Sequence, residues 1–295
     1  MQYALSTLLS GISLGGQYAL IAIGYTLVYG ILRLINFAHG DVFMVAGLMM
    51  IYLNTWLAEP LGAASIPVGL LLMLVFTVIL GFVIERAAYK PLRSAPRMSV
   101  MISAIGVSYL LQNLATYVTG GLPQTYPTVP FLSEVAWGSV KWAAIVTPFL
   151  VVALVIALTQ LINHTKVGMA MRAVAKDFET SQLMGIKINN VISMTFVIGS
   201  ALAAVGSALY FINYPSIVPL SGALPGLKAF VAAVFGGIGS IPGAVVGAFI
   251  IGISETVIKA SPFSIFSDAF TFALLIVILV VKPTGLFGEK ATDKV

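Results

Sequence analysis

Nine times along its 295 residues the chain turns apolar for a length close to what a lipid bilayer requires. The runs are Leu5–Ile31, Val42–Leu57, Ile66–Ile84, Ser99–Val118, Ala143–Ile162, Val191–Ile212, Leu227–Gly239, Ala244–Ile258 and Ile265–Val281. A crossing helix needs about 20 such residues. In lipid the backbone finds no water, so a continuous apolar run folds as a helix that satisfies its own amides. A transmembrane barrel would need inside–outside alternation, which these runs lack. The seventh run is short and the eighth begins at a proline break, so the count is eight or nine. The fold class is an all-α polytopic membrane protein with broken or short helices, in one transmembrane domain over residues 1–295. Composition excludes the soluble alternative: 59% of residues are hydrophobic and 8% charged. Typical soluble chains carry about a quarter charged residues. There are no cysteines, which removes disulfides and thiol nucleophiles. The N-terminal MQYALSTLLSG has no basic region and reads as the start of a first transmembrane helix, not as a cleaved signal.

Lys and Arg placement orients the spans. Arg86, Lys90, Arg93 and Arg97 follow the third run. Lys166, Arg172, Lys176 and Lys187 follow the fifth, and Lys282, Lys290 and Lys294 follow the last. Short basic loops stay cytoplasmic, and anionic lipid explains the net charge of +5 better than nucleic acid does. The loop 120–142, with Lys141 its one base and Trp137 and Trp142 among its aromatics, is expected outside. Segment 213–227 carries no charge and fits outside too. The N-terminus is then external. A cytoplasmic C-terminus requires 227–239 to cross.

Two places interrupt the helical pattern at membrane depth: Arg33 to Asp41 (RLINFAHGD) and Phe235 to Gly243 (FGGIGSIPG). Irregular backbone is tolerated there only where protein buries it or a wet cavity runs beside it. Transporters use paired breaks of this kind near their pathways. The candidate path residues are therefore Asn36, His39, Gly40 and Asp41 in the first break, and Gly236, Gly237, Gly239 and Pro242 in the second. The segments that follow, HGDVFMVAGLMM and PGAVVGAFIIGI, are loosely alike and suggest an inverted internal repeat. A plainer reading stays open for the first break. It places the group at the cytoplasmic end of the helix pair, with Arg33 snorkelling and Asp41 capping the next helix. Glu255 and Asp268 read as helix-end caps or loop residues. Gly237-x-Gly239 lacks the βαβ context of a dinucleotide site. Gly11-ISL-Gly15, Gly239-SIP-Gly243 and Gly243-AVV-Gly247 have the spacing that lets membrane helices approach. No GxxxxGK[ST] occurs, so the chain has no P-loop of its own. His39 and His164 lie on different spans and make no metal site. No catalytic residues are assigned.

The polar segment His164–Asn190 concentrates charge in an oily chain. Val167, Ala170, Met171, Val174 and Phe178 recur at helical spacing, Thr180, Leu183 and Met184 continue the pattern, and Gly185 supplies a stop. A charged helix with one apolar stripe suits docking into a partner's groove; a plain solvated loop is the alternative.

The chain resembles the LivH-type permease subunits of ATP-binding-cassette importers for branched-chain amino acids. The matching stretches include YALIAIGYTLVYGILRLINFAHGDVFM (18–44), ERAAYKPLR (85–93), TKVGMAMRAVAKDFETSQLMGI (165–186), LKAFVAAVFGGIGSIPGAVVGAFIIGI (227–253) and VVKPTGLFG (280–288). The resemblance implies a multi-pass bacterial inner-membrane subunit that is not an enzyme and binds no cofactor, with ATP and Mg on two partner ATPases. A second homologous permease and an external amino-acid-binding protein complete the assembly. It places the ATPase-coupling loop at 165–186, with Gly168, Arg172, Ala173, Ala175, Asp177, Met184 and Gly185 at the motif positions. No glutamate precedes the alanines, a variant usual in this family. Urea, amide or aromatic-acid permeases of the same class, and a stand-alone ion-coupled carrier using Asp41 or Glu255, are the alternatives.

Overall fold

The computed structural model describes residues 2–93, 95–138 and 140–288. Lys290 and Lys294 of the last basic group lie outside them. The helices are α1 (Gln2–Leu32), α2 (His39–Leu61), α3 (Ser65–Ile84), α4 (Arg97–Thr119), α5 (Trp142–His164), α6 (Lys166–Lys176), α7 (Phe178–Leu183), α8 (Ile188–Asn213), α9 (Ala223–Gly236), α10 (Ile241–Lys259) and α11 (Ser267–Val281). Seven helical runs among the described residues are long and apolar enough to cross a membrane. One of them, His39–Leu92, doubles back at Gly62, whose φ of 51° no side chain would favour. It therefore holds two passes, α2 and α3, joined where Ser65 Oγ donates to Asn54. That makes eight long passes, and the shorter apolar α9 adds a ninth segment.

α1 and α8 are mostly buried, whereas α5 and α11 show most of their surface. The bundle is thus built around α1 and α8. Lipid tails are as apolar as Leu, so helices associate through close packing and small residues. α1 and α10 run antiparallel on glycines: a Cβ on Gly15 would lie 2.8 Å from the Phe249 Cα, and one on Gly252 would enter the Gly15 backbone. This is the approach the GxxxG spacing of Gly11 and Gly15 implied. Gly243 and Gly247 meet α9 at Gly236 and Ala232 in the same manner.

At one end lies a small cap of paired strands, β1 (Gln124–Thr125) with β4 (Ser216–Ile217), and β2 (Val135–Trp137) with β3 (Val140–Lys141), both antiparallel. Tyr126 is buried in it, and Phe131 stacks on Trp142 at 4.9 Å. At the other end the chain reverses between α9 and α10, where Leu286 and Phe287 bond back to the carbonyls of Phe235 and Gly236.

Candidate functional site

α1 ends at Arg33, an exposed residue in the left-handed region (φ 54°) whose N–H still reaches Tyr29 O at 2.8 Å. The chain then turns back into the bundle before α2 begins. The His39 imidazole fills the space a Cβ on Gly24 would take, eight residues before the end of α1. At about 1.5 Å per residue, α2 starts roughly 12 Å inside that end. The first break is therefore deep, not at the helix-pair terminus. Asp41 does not cap α2, which has Ala38 as its N-cap and no side-chain bond there. Its carboxylate instead accepts from Ser108 Oγ (2.5 Å) and Gln112 Nε2 (3.0 Å) of α4. Asn36 Oδ1 accepts from the Tyr89 hydroxyl at 2.9 Å and from the Ala38 amide at 3.2 Å. Tyr89 is turned inward by a π-helical turn, Glu85–Tyr89, at the end of α3. The same turn buries Glu85, which pairs with Arg93 and accepts from Ser193 at 2.7 Å. Burial pulls the Arg93 guanidinium below its ordinary range, and Glu85 opposes that shift. His39 meets the Tyr25 ring edge-on at 5.0 Å, and its Nε2 has no partner among the described residues.

The partner of this break is not the second break. Gly40 packs against Gly222 and Gly226, so tightly that a Cβ on Gly40 would lie 2.6 Å from Gly222 O. The N-terminal ends of α2 and α9 thus meet inside the bundle and leave the contact in opposite directions. Segment 213–227 is not wholly an outer loop: Ser216–Ile217 pairs with the strand cap, and the rest dips to Gly40. Gly236, Gly237, Gly239 and Pro242 lie elsewhere, at the α9–α10 reversal. There Gly237 (φ 110°) abuts Gly285 and Gly288, and Pro242 starts α10 in its first turn. Gly222-xxx-Gly226 carries the same small-residue spacing as the other pairs, and that was the available signal.

A second cluster escaped the sequence reading. Glu255 is not an end cap: its side chain is fully buried in α10. It accepts from Lys228 Nζ at 2.6 Å, Lys259 Nζ at 2.5 Å and the Tyr18 hydroxyl at 3.0 Å. Lys228 also pairs with Asp268 at 2.6 Å. This network joins α1, α9, α10 and α11. Lys228 sits in an otherwise apolar run, which is why its role was not legible.

The polar segment is two helices, not one. Asp177 is extended (φ −156°, ψ 114°), ends α6 and caps α7 by accepting from the Thr180 amide at 3.1 Å. The expected stripe is divided: Met171 and Val174 are buried in the bundle, whereas Val167 and Phe178 are exposed. Gly168 lies so close to Ile162 that a Cβ would collide with its backbone, and Arg172 bonds Asn163 through both Oδ1 (3.1 Å) and the carbonyl (3.3 Å). Ala173 and Ala175 are half-buried. The outward corner is Leu183, Met184 and Gly185, with Leu183 and Met184 87% and 79% exposed and Gly185 at φ 83°. Beside it lies an open groove of about 590 Å³ lined by Arg93, Phe178, Gln182, Lys187 and Asn190. Finally, α4 turns Tyr109, Asn113 and Thr116 outward at helical spacing, a polar strip on a membrane-length helix.

A family model described as "Branched-chain amino acid transport system / permease component" matches residues 7–279. The chain is 40% identical to the high-affinity branched-chain amino acid transport system permease protein LivH of Escherichia coli (strain K12), over 99% of this chain and 98% of that one. It is 40% identical to BraD of Pseudomonas aeruginosa over the same shares, and 30% identical to a probable LivH of Methanocaldococcus jannaschii over 91% and 88%. Among solved structures, PsaBC from Streptococcus pneumoniae in complex with Fab matches in fold, with a TM-score of 0.50 at 11% identity over 97% of this chain and 94% of that one.

Proposed function

Since the chain belongs to the family of branched-chain amino acid transport system permease components, we propose that it is the membrane-spanning subunit of an ATP-driven importer of branched-chain, hydrophobic amino acids. The carrying observation is 40% identity along nearly the whole length to permeases of that transport. ATP and Mg sit on two separate ATPase subunits at the basic end. An external binding protein delivers substrate at the strand-capped end, and the chain lies in the bacterial inner membrane. The N-terminus is external and the C-terminus cytoplasmic.

The geometry supports a lever. The exposed corner Leu183–Gly185 and the adjacent groove offer an ATPase something to hold. Arg172, Gly168 and Asp177 tie that corner rigidly to α5 and α7. Movement of the corner then tilts α5 and α8 and alternates access to the path. The Gly40–Gly222 contact, where two helix ends close on each other, fits the closed point of that path. On α4, Asn113 and Thr116 donate to carbonyls of their own helix, and the outward polar strip with Tyr109 suits the second permease subunit or the path between the two better than lipid.

Reconstitution tests this. The chain with its ATPases and binding protein, in liposomes, should take up leucine, isoleucine or valine only with internal ATP. Uptake driven by an ion gradient without ATPases would overturn the reading in favour of a secondary carrier. Competition by urea, amides or aromatic acids in place of leucine would shift the substrate class.

A further inference from the structure

We propose that the outer end of the bundle carries its own binding site for a zwitterionic α-amino acid with a small apolar side chain. The site is a cavity of about 190 Å³ between α1, β3, α5 and α8, under the strand cap. The proposal rests on the import reading above and adds to it a substrate site within the permease itself.

Two unmet groups line this cavity. The first is Gln17. Its residue is 1% exposed, and its Nε2 donates to Leu209 O at 3.2 Å and Ser13 Oγ at 3.4 Å. Those bonds orient the amide, and its Oε1 is buried without a partner among the described residues. Buried polar atoms are nearly always paired, so an orphan acceptor calls for a donor. The second is Lys141. Its Nζ donates to Ile212 O at 3.1 Å, and no carboxylate pairs with it among the described residues. An ammonium has three donors, so two remain for an anion. A cation lacking an anion at the cavity, and an acceptor lacking a donor buried in its wall, complement an α-carboxylate and an α-ammonium once the Gln17 amide turns toward the cavity.

The rest of the wall is mixed: Leu14, Val140 and Ala144 are apolar, and Asn213 and Tyr214 add polar groups. Apolar lining with polar groups that fix orientation is the usual form of a small-molecule site. The volume exceeds what a single water needs and suits a small amino acid. Ser10 and Ser13, on the same α1 face as Gln17, add hydroxyls that can serve either charge. The site lies on the outer side of the Gly40–Gly222 contact, with the β2–β3 hairpin beside it, so a substrate held here waits above the closed point.

The experiment uses the assembled transporter in nanodiscs without the external binding protein, and L-leucine as ligand. Saturable leucine binding is expected. It should be competed by valine but not by 4-methylpentanoate, which lacks the ammonium, or by isoamylamine, which lacks the carboxylate. Lys141→Met should weaken it about tenfold or more, as loss of a charged hydrogen bond does. Since Gln17→Leu can disturb folding, a second measurement is independent of it. The chain has no cysteine, so Ser10→Cys gives one thiol in this chain, which a water-soluble methanethiosulfonate should modify, read on this subunit, and leucine should protect. Absence of saturable binding in a transporter that still imports leucine with ATP overturns the site and leaves the import reading standing. Binding unchanged by Lys141→Met, with no protection at position 10, overturns it as well.

Discussion

At the scale of single residues, the chain places charge where lipid-facing helices cannot, and pairs it. Lys228 and Glu255 are buried among apolar helices; Lys228 pairs with Glu255 and Asp268, and Glu255 also pairs with Lys259. Stranding a buried charge costs about 3 kcal/mol or more; without Lys228, Glu255 keeps Lys259 and the Tyr18 hydroxyl, so the loss is smaller than that. Lys228→Met should therefore lower the melting temperature of the detergent-solubilised protein. The double variant Lys228→Met with Glu255→Gln should recover part of the loss. An unchanged melting temperature in the single variant would show that the network adds nothing to stability. Lys228, two residues beyond Gly226, is well placed to hold α9 against Gly40.

At the scale of elements, the segment 165–186 shows how a periodic pattern can predict helicity while the packing divides its apolar face. Val167, Ala170, Met171, Val174 and Phe178 do recur at helical spacing. Yet Asp177 splits the run, because its carboxylate satisfies the first amides of α7 better than continued α6 winding would. Met171 and Val174 of the stripe then pack on the chain's own helices, while Val167, Met169, Phe178, Leu183 and Met184 stay exposed. Arg172→Glu should break the two hydrogen bonds to Asn163, and Gly185→Pro should remove both the left-handed turn and the amide bonded to Gln182 O. Both should uncouple ATP hydrolysis from leucine uptake, read as ATPase activity that no longer responds to the substrate-loaded binding protein. Normal coupling in both variants would remove the segment from the coupling role.

At the scale of the whole molecule, sidedness is the property everything else depends on. Tyr3 lies near Ala260 at the strand-capped end, and Gly285 lies against Gly237 at the basic end, so the described ends of the chain sit on opposite faces. In the cysteine-free chain, Ser133→Cys should react with a membrane-impermeant maleimide from outside intact cells, and Lys187→Cys only in inside-out vesicles. The reverse pattern would invert the transporter. What the sequence determined by itself was the helical membrane class, the approximate number of passes, the basic and cap ends, and the family. These follow from hydropathy, Lys and Arg counts and long matching stretches, all of which are local. What only the tertiary structure decided was which break meets which. The Gly40–Gly222 contact, the Asp41–Gln112 bond and the Lys228–Glu255 pair join residues 27 to 182 positions apart. In a bundle of similar apolar helices, no periodicity within one helix specifies its neighbour. Partner choice rests on the fit of small residues and the pairing of rare polar groups, and both exist only once the helices are packed.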